Sequence, residues 1–308
     1  MRGAGNDKAL SSNNNGTEPQ GAPATYGYLS SFDSAGFTFT KGTSTGDPAG
    51  NAYFDEVIGS ARTYVGWCWD AGSSTVSNTD GDITTSLRAN PTAGFSIATY
   101  SGSGTNGHTI GHGLGVQPDF CVVKARNKTD NWRVYHSALG TGYTPQLDSD
   151  GAASTGANWQ SISSTTLGLQ NDPAINGSGY NYVAFFCAAV EVYSAVGGPY
   201  TGTGTTSGPF QYCGFRPRWI MIKSSVNGAT GNGNGWTIFD TARSTFNETA
   251  AHLAADSSAL EYTGGQGQID ILSNGFKPRQ GNTQTNHQSN QYIWIAFAEN
   301  PFKYARAR

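Results

Sequence analysis

His108 and His112 are the first residues whose types and spacing could do chemistry. Four residues apart on a helix, two imidazoles face one metal ion. Here they lie in the Gly-rich stretch Gly107 to Gly115, where a turn is expected and side chains do not converge. No metal site is assigned, and His112 is expected to bond within its own turn. His136 and Ser137 offer the base and nucleophile of a hydrolase. Neighbours on a strand point to opposite faces, and no G-x-S-x-G elbow occurs, so no triad is assigned. Polysaccharide cleavage needs two carboxylates about 5–10 Å apart. The candidates are Asp33, Asp55, Glu56, Asp148, Asp150, Asp240 and Asp270, and none forms a recurring pair. No catalytic residue is assigned. Gly102-Ser103-Gly104 and Gly202-Thr203-Gly204 lack the following helix that a phosphate cradle requires. Asp80-Gly81-Asp82 lacks the further oxygen ligands of a calcium loop and reads as a hairpin turn. Sugar binding remains. Sugars stack on aromatic rings and bond to amide and carboxylate side chains. Trp159, Tyr143 and Tyr262 sit among small polar residues, and Trp159, between Asn158 and Gln160, is the first choice for a glycan contact.

The elements that must position these residues follow from composition. Gly is 42 of 308 residues, Leu 11 and Met 2, and charged residues are 13%. Helices need Leu, Ala, Glu, Lys and Met, so all-α and doubly wound α/β folds are excluded. Aromatics at 12% supply enough apolar bulk for a core, which argues against disorder. What remains is an all-β chain with a skin of Ser, Thr, Asn and Gly. Its net charge of −3 comes without basic stripes, so no nucleic-acid partner is expected. No run of 18 apolar residues predicts membrane insertion, and no hydrophobic signal core opens the chain. Cys68, Cys121, Cys187 and Cys213 are widely spaced and read as small buried hydrophobes. No cofactor is implied.

Internal repeats organise the chain. Tyr64-Val65-Gly66-Trp67-Cys68-Trp69, Tyr182-Val183-Ala184-Phe185-Phe186-Cys187 and Tyr292-Ile293-Trp294-Ile295-Ala296-Phe297 lie 118 and 110 residues apart. Each is apolar on both faces and reads as a central strand buried on both sides. Gln117 to Lys124 matches Arg216 to Lys223, with Pro opening a β-rich run and Lys closing it. Trp132 to Ser137 matches Trp236 to Thr241, placing Trp, Val or Ile, and His or Asp on one face. Turn-rich links make each pair a hairpin. His136 aligns with Asp240, so its position reads as structural. Gly36-Phe37, Gly168-Leu169 and Gly275-Phe276 open further strands. Residues 1–91 hold a partial first repeat plus linker, 92–196 the second repeat and 197–308 the third. The first lacks its Pro and Trp strands, because Met1-Arg2-Gly3 aligns with Ala242-Arg243-Ser244 beyond them. Either the chain is a fragment of a longer one or a neighbouring subunit supplies those strands. Thr245 to Leu260 reads as a short helix or an irregular loop. The expected fold is all-β, with tandem antiparallel β-sandwich-like repeats of about 110 residues.

The same strings resemble a repeat domain of uncharacterised function found in tail-fibre-like virion structural proteins of marine phages of the cyanophage type. They are the Tyr64 to Trp69 run, Asn90 to Ile97, Gly111-His112-Gly113-Leu114-Gly115, Phe215-Arg216-Pro217, Phe239 to Arg243, and Ala298 to Lys303. Ala189, Val192 and the tract Thr40 to Gly59 depart from the pattern, an acidic residue and a Gly being expected at the first two. The resemblance implies a location on the virion and no catalytic residue. It implies partnership with other virion proteins, contact with host cell-surface polysaccharide, and a homotrimer or other homo-oligomer. A purely architectural or capsid-decorating protein and a polysaccharide depolymerase are the alternatives.

Overall fold

Runs that are apolar on both faces become interior strands of large sheets, each packed on two sides. The computed structural model describes residues 9–18, 25, 27–33, 36–40, 42–43, 63–156, 158–226, 235–265 and 267–299. The fold is all-β. A hairpin of β1 (Tyr28–Asp33) and β2 (Gly36–Thr40) comes first. Next follow β3 (Val76–Asn78), β4 (Thr85–Asn90), β5 (Phe95–Ser101), β6 (Thr109–Gly111), β7 (Phe120–Ala125) and β8 (Arg133–His136). Short β9 (Tyr143–Thr144) and β10 (Ser154–Thr155) precede β11 (Trp159–Ile162), β12 (Thr166–Leu169) and β13 (Asn181–Cys187). The last eight are β14 (Ser194–Thr201), β15 (Gln211–Tyr212), β16 (Pro217–Val226), β17 (Trp236–Asp240), β18 (Leu253–Ala254), β19 (Ile269–Leu272), β20 (Gly275–Pro278) and β21 (Gln291–Ala298).

One connectivity occurs twice. The N-terminal sandwich has a six-stranded sheet, β3-β4-β5-β13-β7-β8, facing a three-stranded sheet, β11-β12-β6. The C-terminal sandwich has β14-β21-β16-β17-β18 facing β15-β20-β19. Tyr100, Cys121, Val123, Trp159, Leu167, Leu169, Tyr182 and Phe186 fill the first interior. Ile220, Ile222, Phe239, Ile269, Phe276, Tyr292 and Trp294 fill the second. A third core joins the backs of the two large sheets, with Phe95, Phe120, Val122, Trp132 and Val183 from one and Trp219, Met221, Trp236, Ile293 and Ile295 from the other. Leu10, Trp67 and Trp69 pack on this shared core as well. Burying each such side chain contributes about 1.5–3 kcal/mol, so the large sheets are stabilised from both faces.

The expected hairpins form. β7 pairs with β8, Phe120 opposite His136, and β16 pairs with β17, Trp219 opposite Asp240. Three expectations are corrected. The run Tyr64 to Trp69 is extended but joins no ladder among the described residues, and Tyr64 is 53% exposed. No described strand lies beside it to satisfy its edges. Residues read as linker instead form β3 and β4 at the edge of the six-stranded sheet, joined by the expected turn at Asp80-Gly81. Cys68 is exposed, because it lies on that same unladdered run; Cys121, Cys187 and Cys213 are buried, and all four are free. Of the two forms expected for Thr245 to Leu260 the irregular one is found, apart from β18, with Phe246 and Leu260 projecting into solvent. Met1 to Gly3 and most of the tract Thr40 to Gly59 lie outside the described residues.

Candidate functional site

The structure separates the three aromatic candidates. Trp159 is 1% exposed, which overturns its reading as a glycan contact. It opens β11 opposite Leu169 and packs edge-on against Tyr135, 6.3 Å between centroids, inside the N-terminal sandwich. Its neighbour Gln160 takes the solvent side, as strand alternation requires. Tyr143 lies on β9 opposite Thr155 and is 37% exposed. Tyr262 is 45% exposed, but one face of its ring is stacked on His252 at 5.0 Å. The three are therefore one core residue and two separate surface rings.

The ionisable candidates serve the fold. His112 is buried, its Nδ1 accepting from the Leu114 N–H at 3.3 Å within its own turn and its Nε2 facing the Ser163 carbonyl at 3.3 Å. Burial holds its pKa below the ordinary value. His136 Nδ1 accepts the Ala138 N–H at 3.2 Å, so Nε2 carries the proton and donates to the Trp294 carbonyl at 3.2 Å. Burial pushes its pKa down to about 4. Asp240, at the matching place, accepts the Ala242 and Arg243 N–H groups and pairs with the Arg243 guanidinium at 2.6 Å. Asp148 accepts the Trp132 N–H, as Asp256 does that of Trp236. Each of these carboxylates faces a buried lysine, Lys124 or Lys223, whose pKa desolvation lowers to about 8. Asp150 also lies near Lys223. Asp270 pairs with Arg279, and Asp33 accepts from Ser31 and Thr38. Asp55 and Glu56 lie outside the described residues. Among the described residues no three His, Cys, Asp or Glu side chains gather as a metal would require.

Sequence reasoning missed a duplicated clasp. The two Gly-x-Gly turns wrap buried asparagines, not phosphates. Asn176 Oδ1 accepts the Ser103 N–H at 2.9 Å, and its amide donates to the Thr105 carbonyl at 2.8 Å. Asn286 accepts from the Thr203 N–H at 2.8 Å and donates to the Thr205 carbonyl at 2.8 Å. Gly104 and Gly204 sit at φ of 70° and 68°, and each donates its N–H to the carbonyl of that asparagine. Stacked tyrosines, Tyr100 on Tyr182 and Tyr200 on Tyr292, back both clasps.

A surface groove of about 540 Å³ lies beside the first clasp. It is lined by Thr75, Ser77, Ser86, Thr99, Ser101, Arg126 and Asn181, among others. Ladder register explains it. Ser77 lies opposite Ser86, and Ser86 opposite Thr99, so three hydroxyls form a row across β3, β4 and β5. Adjacent strands set them about 4.8 Å apart. On the same face of β5, Phe95 and Ile97 enter the central core, while Thr99 and Ser101 emerge from under it. Ser101 donates to Asn181 Oδ1 at 2.9 Å, and Arg126 is held by Glu18. Hydroxyl, amide and guanidinium groups at fixed spacing can exchange hydrogen bonds with a polyhydroxylated ligand. The one sequence signal for this site was the high Ser and Thr content of the edge strands.

An all-β fold with paired sandwiches and a hydroxyl-lined groove defines a scaffold with a polar surface cleft. The chain belongs to the family described as a domain of unknown function (DUF7483), whose model matches residues 1–301. No curated protein and no solved structure matches it.

Proposed function

We propose that the chain is a structural component of a phage virion, a tail-fibre or appendage module, and that it contacts host surface glycan through the groove across β3 to β5. The likeness of its strand and turn motifs to tail-fibre-like repeat domains supports the virion setting. The hydroxyl row Ser77, Ser86 and Thr99 beside Asn181 and Arg126 carries the glycan reading. It is polar, uncrowded by charge and built on a sheet, so ligand groups meet donors and acceptors that are already ordered. Tyr143 and Tyr262 supply exposed ring faces elsewhere on the surface.

A glycan array probed with the purified chain tests the reading. Binding to particular glycans is expected, weakened roughly tenfold in Ser86→Val/Thr99→Val, which removes two hydroxyls from the row. Binding that survives this change but falls in Tyr143→Ala or Tyr262→Ala would move the contact to those rings. Absence of glycan binding together with tight binding to other particle proteins supports the architectural alternative. Release of reducing ends from host polysaccharide supports a depolymerase instead.

A further inference from the structure

Residues 65–69 have the side-chain pattern of an interior strand and no ladder among the described residues. Trp67 and Trp69 enter the central core beside Phe185, Cys187, Ile295 and Phe297, the corresponding residues of β13 and β21. Gly66, on the opposite face, backs onto the Phe37 ring of β2 so closely that a Cβ there would meet it at 2.9 Å. The hairpin β1–β2 thus touches this strand at Gly66 but leaves Tyr64 and Cys68 exposed, whereas Tyr292, Trp294 and Ala296 on the matching face of β21 are buried. In both sandwiches the corresponding strand has antiparallel neighbours on its two edges, β5 and β7 beside β13, and β14 and β16 beside β21. Among the described residues 65–69 has no such neighbours, and apolar surface on the hairpin above it is open. Phe32 is 55% exposed, whereas Ile271, at the same place in β19 relative to its hairpin, is 3% exposed.

The links between units repeat one contact. Trp236, leading the second strand of the hairpin β16–β17, donates from Nε1 to the Gln146 carbonyl of the N-terminal sandwich at 2.8 Å. Trp132, leading β8, donates in the same way to the Ser11 carbonyl at 3.0 Å. Gln146 lies opposite Arg133, just as Ala254 lies opposite Thr237. By this relation, a third Trp-led strand beside 65–69 would reach the Ala254 carbonyl.

We propose that residues 65–69 form an acceptor strand, completed by an antiparallel β-hairpin supplied from outside residues 1–308. The first strand of that hairpin has the alternating apolar pattern of β7 and β16, and its second is Trp-led like β8 and β17. The docked hairpin continues an interface already present, since its inner face would join the central core. A second copy of this chain is a poor donor. Its own two hairpins of this class are laddered to β13 and β21, and their core-facing residues Phe120, Val122, Trp219 and Met221 are 6–8% exposed. The outer edge of β14 carries Pro199, which has no N–H to give a ladder. This inference does not rest on the glycan reading.

A fluorescent synthetic peptide spanning Arg216 to Thr241, the chain's own β16–β17 hairpin, serves as the donor probe for the full chain. Saturable one-to-one binding is expected. Backbone N-methylation at alternate residues of its first strand should weaken binding roughly tenfold, by blocking ladder bonds without touching the acceptor. Cys68, an exposed thiol on the acceptor strand, should be alkylated more slowly at saturating peptide. Cys68→Pro should lose the peptide while keeping its melting temperature and near-UV circular dichroism. No saturable binding up to about 1 mM, or equal binding of the N-methylated peptide, overturns the proposal. A chain that sediments as a dimer with Cys68 protected from alkylation overturns that source, because a second copy then fills the site.

Discussion

His136 and Asp240 do one job with different chemistry. Each closes the turn after a Trp-led strand by accepting an N–H two residues on, from Ala138 or Ala242. The imidazole brings a pH dependence that the carboxylate does not. Its folded pKa of about 4 lies below the ordinary value, so the unfolded chain takes up the proton first as pH falls. The stabilisation is complete above about pH 6.5 and is lost toward pH 4, about 3 kcal/mol in all. Thermal melts should therefore fall in midpoint from pH 7 to pH 4.5, and His136→Asn should flatten that slope while keeping the turn. An unchanged slope would assign the effect to His112 and His252, whose pKa values burial also lowers. Val192, where a Gly was expected, has φ of 60°. A β-branched residue is strained there, so Val192→Gly should stabilise the chain by about 1 kcal/mol, read as a higher denaturation midpoint. The alignment of His136 with Asp240 made a structural place legible in the sequence, but not the turn that it closes. The sequence hid the burial of Trp159, because Asn158 and Gln160 resemble a loop unless the two-residue period of β11 is recognised.

At the level of elements, the two asparagine clasps fix how the Gly-x-Gly turns meet the ends of β13 and β21. Asn286→Ala removes the acceptor for the Thr203 N–H and the donor to the Thr205 carbonyl in a buried place. It should cost about 2–3 kcal/mol by chemical denaturation, and Asn176→Ala a similar amount. Equal midpoints for variant and parent would show that water replaces the clasp. The interior strands β13 and β21 were legible, since a run apolar on both faces has no other place in a sheet. The same signal misplaced 64–69. Periodicity reports what a strand's faces want and nothing about whether neighbours exist for its edges. The edge strands β3 and β4 were read as linker because Ser and Thr on an exposed face give no apolar alternation. Those are the hydroxyls that line the groove, so the candidate site was the least legible part of the fold.

At the scale of the whole molecule, the central core makes the two sandwiches one folding unit. Trp132, Trp236, Phe120 and Trp219 would all be exposed if either sandwich opened alone. Calorimetry should give one transition, with equal calorimetric and van't Hoff enthalpies, and two resolved transitions would mean that the shared core contributes little. The groove across β3 to β5 lies at the outer edge of this unit. The claim that this surface belongs to a virion is tested most directly by electron microscopy of the phage particle, with an antibody raised against the purified chain. The account predicts label on fibres or other appendages. Label confined to the capsid would favour the architectural role, and particles carrying no label at all would contradict the account.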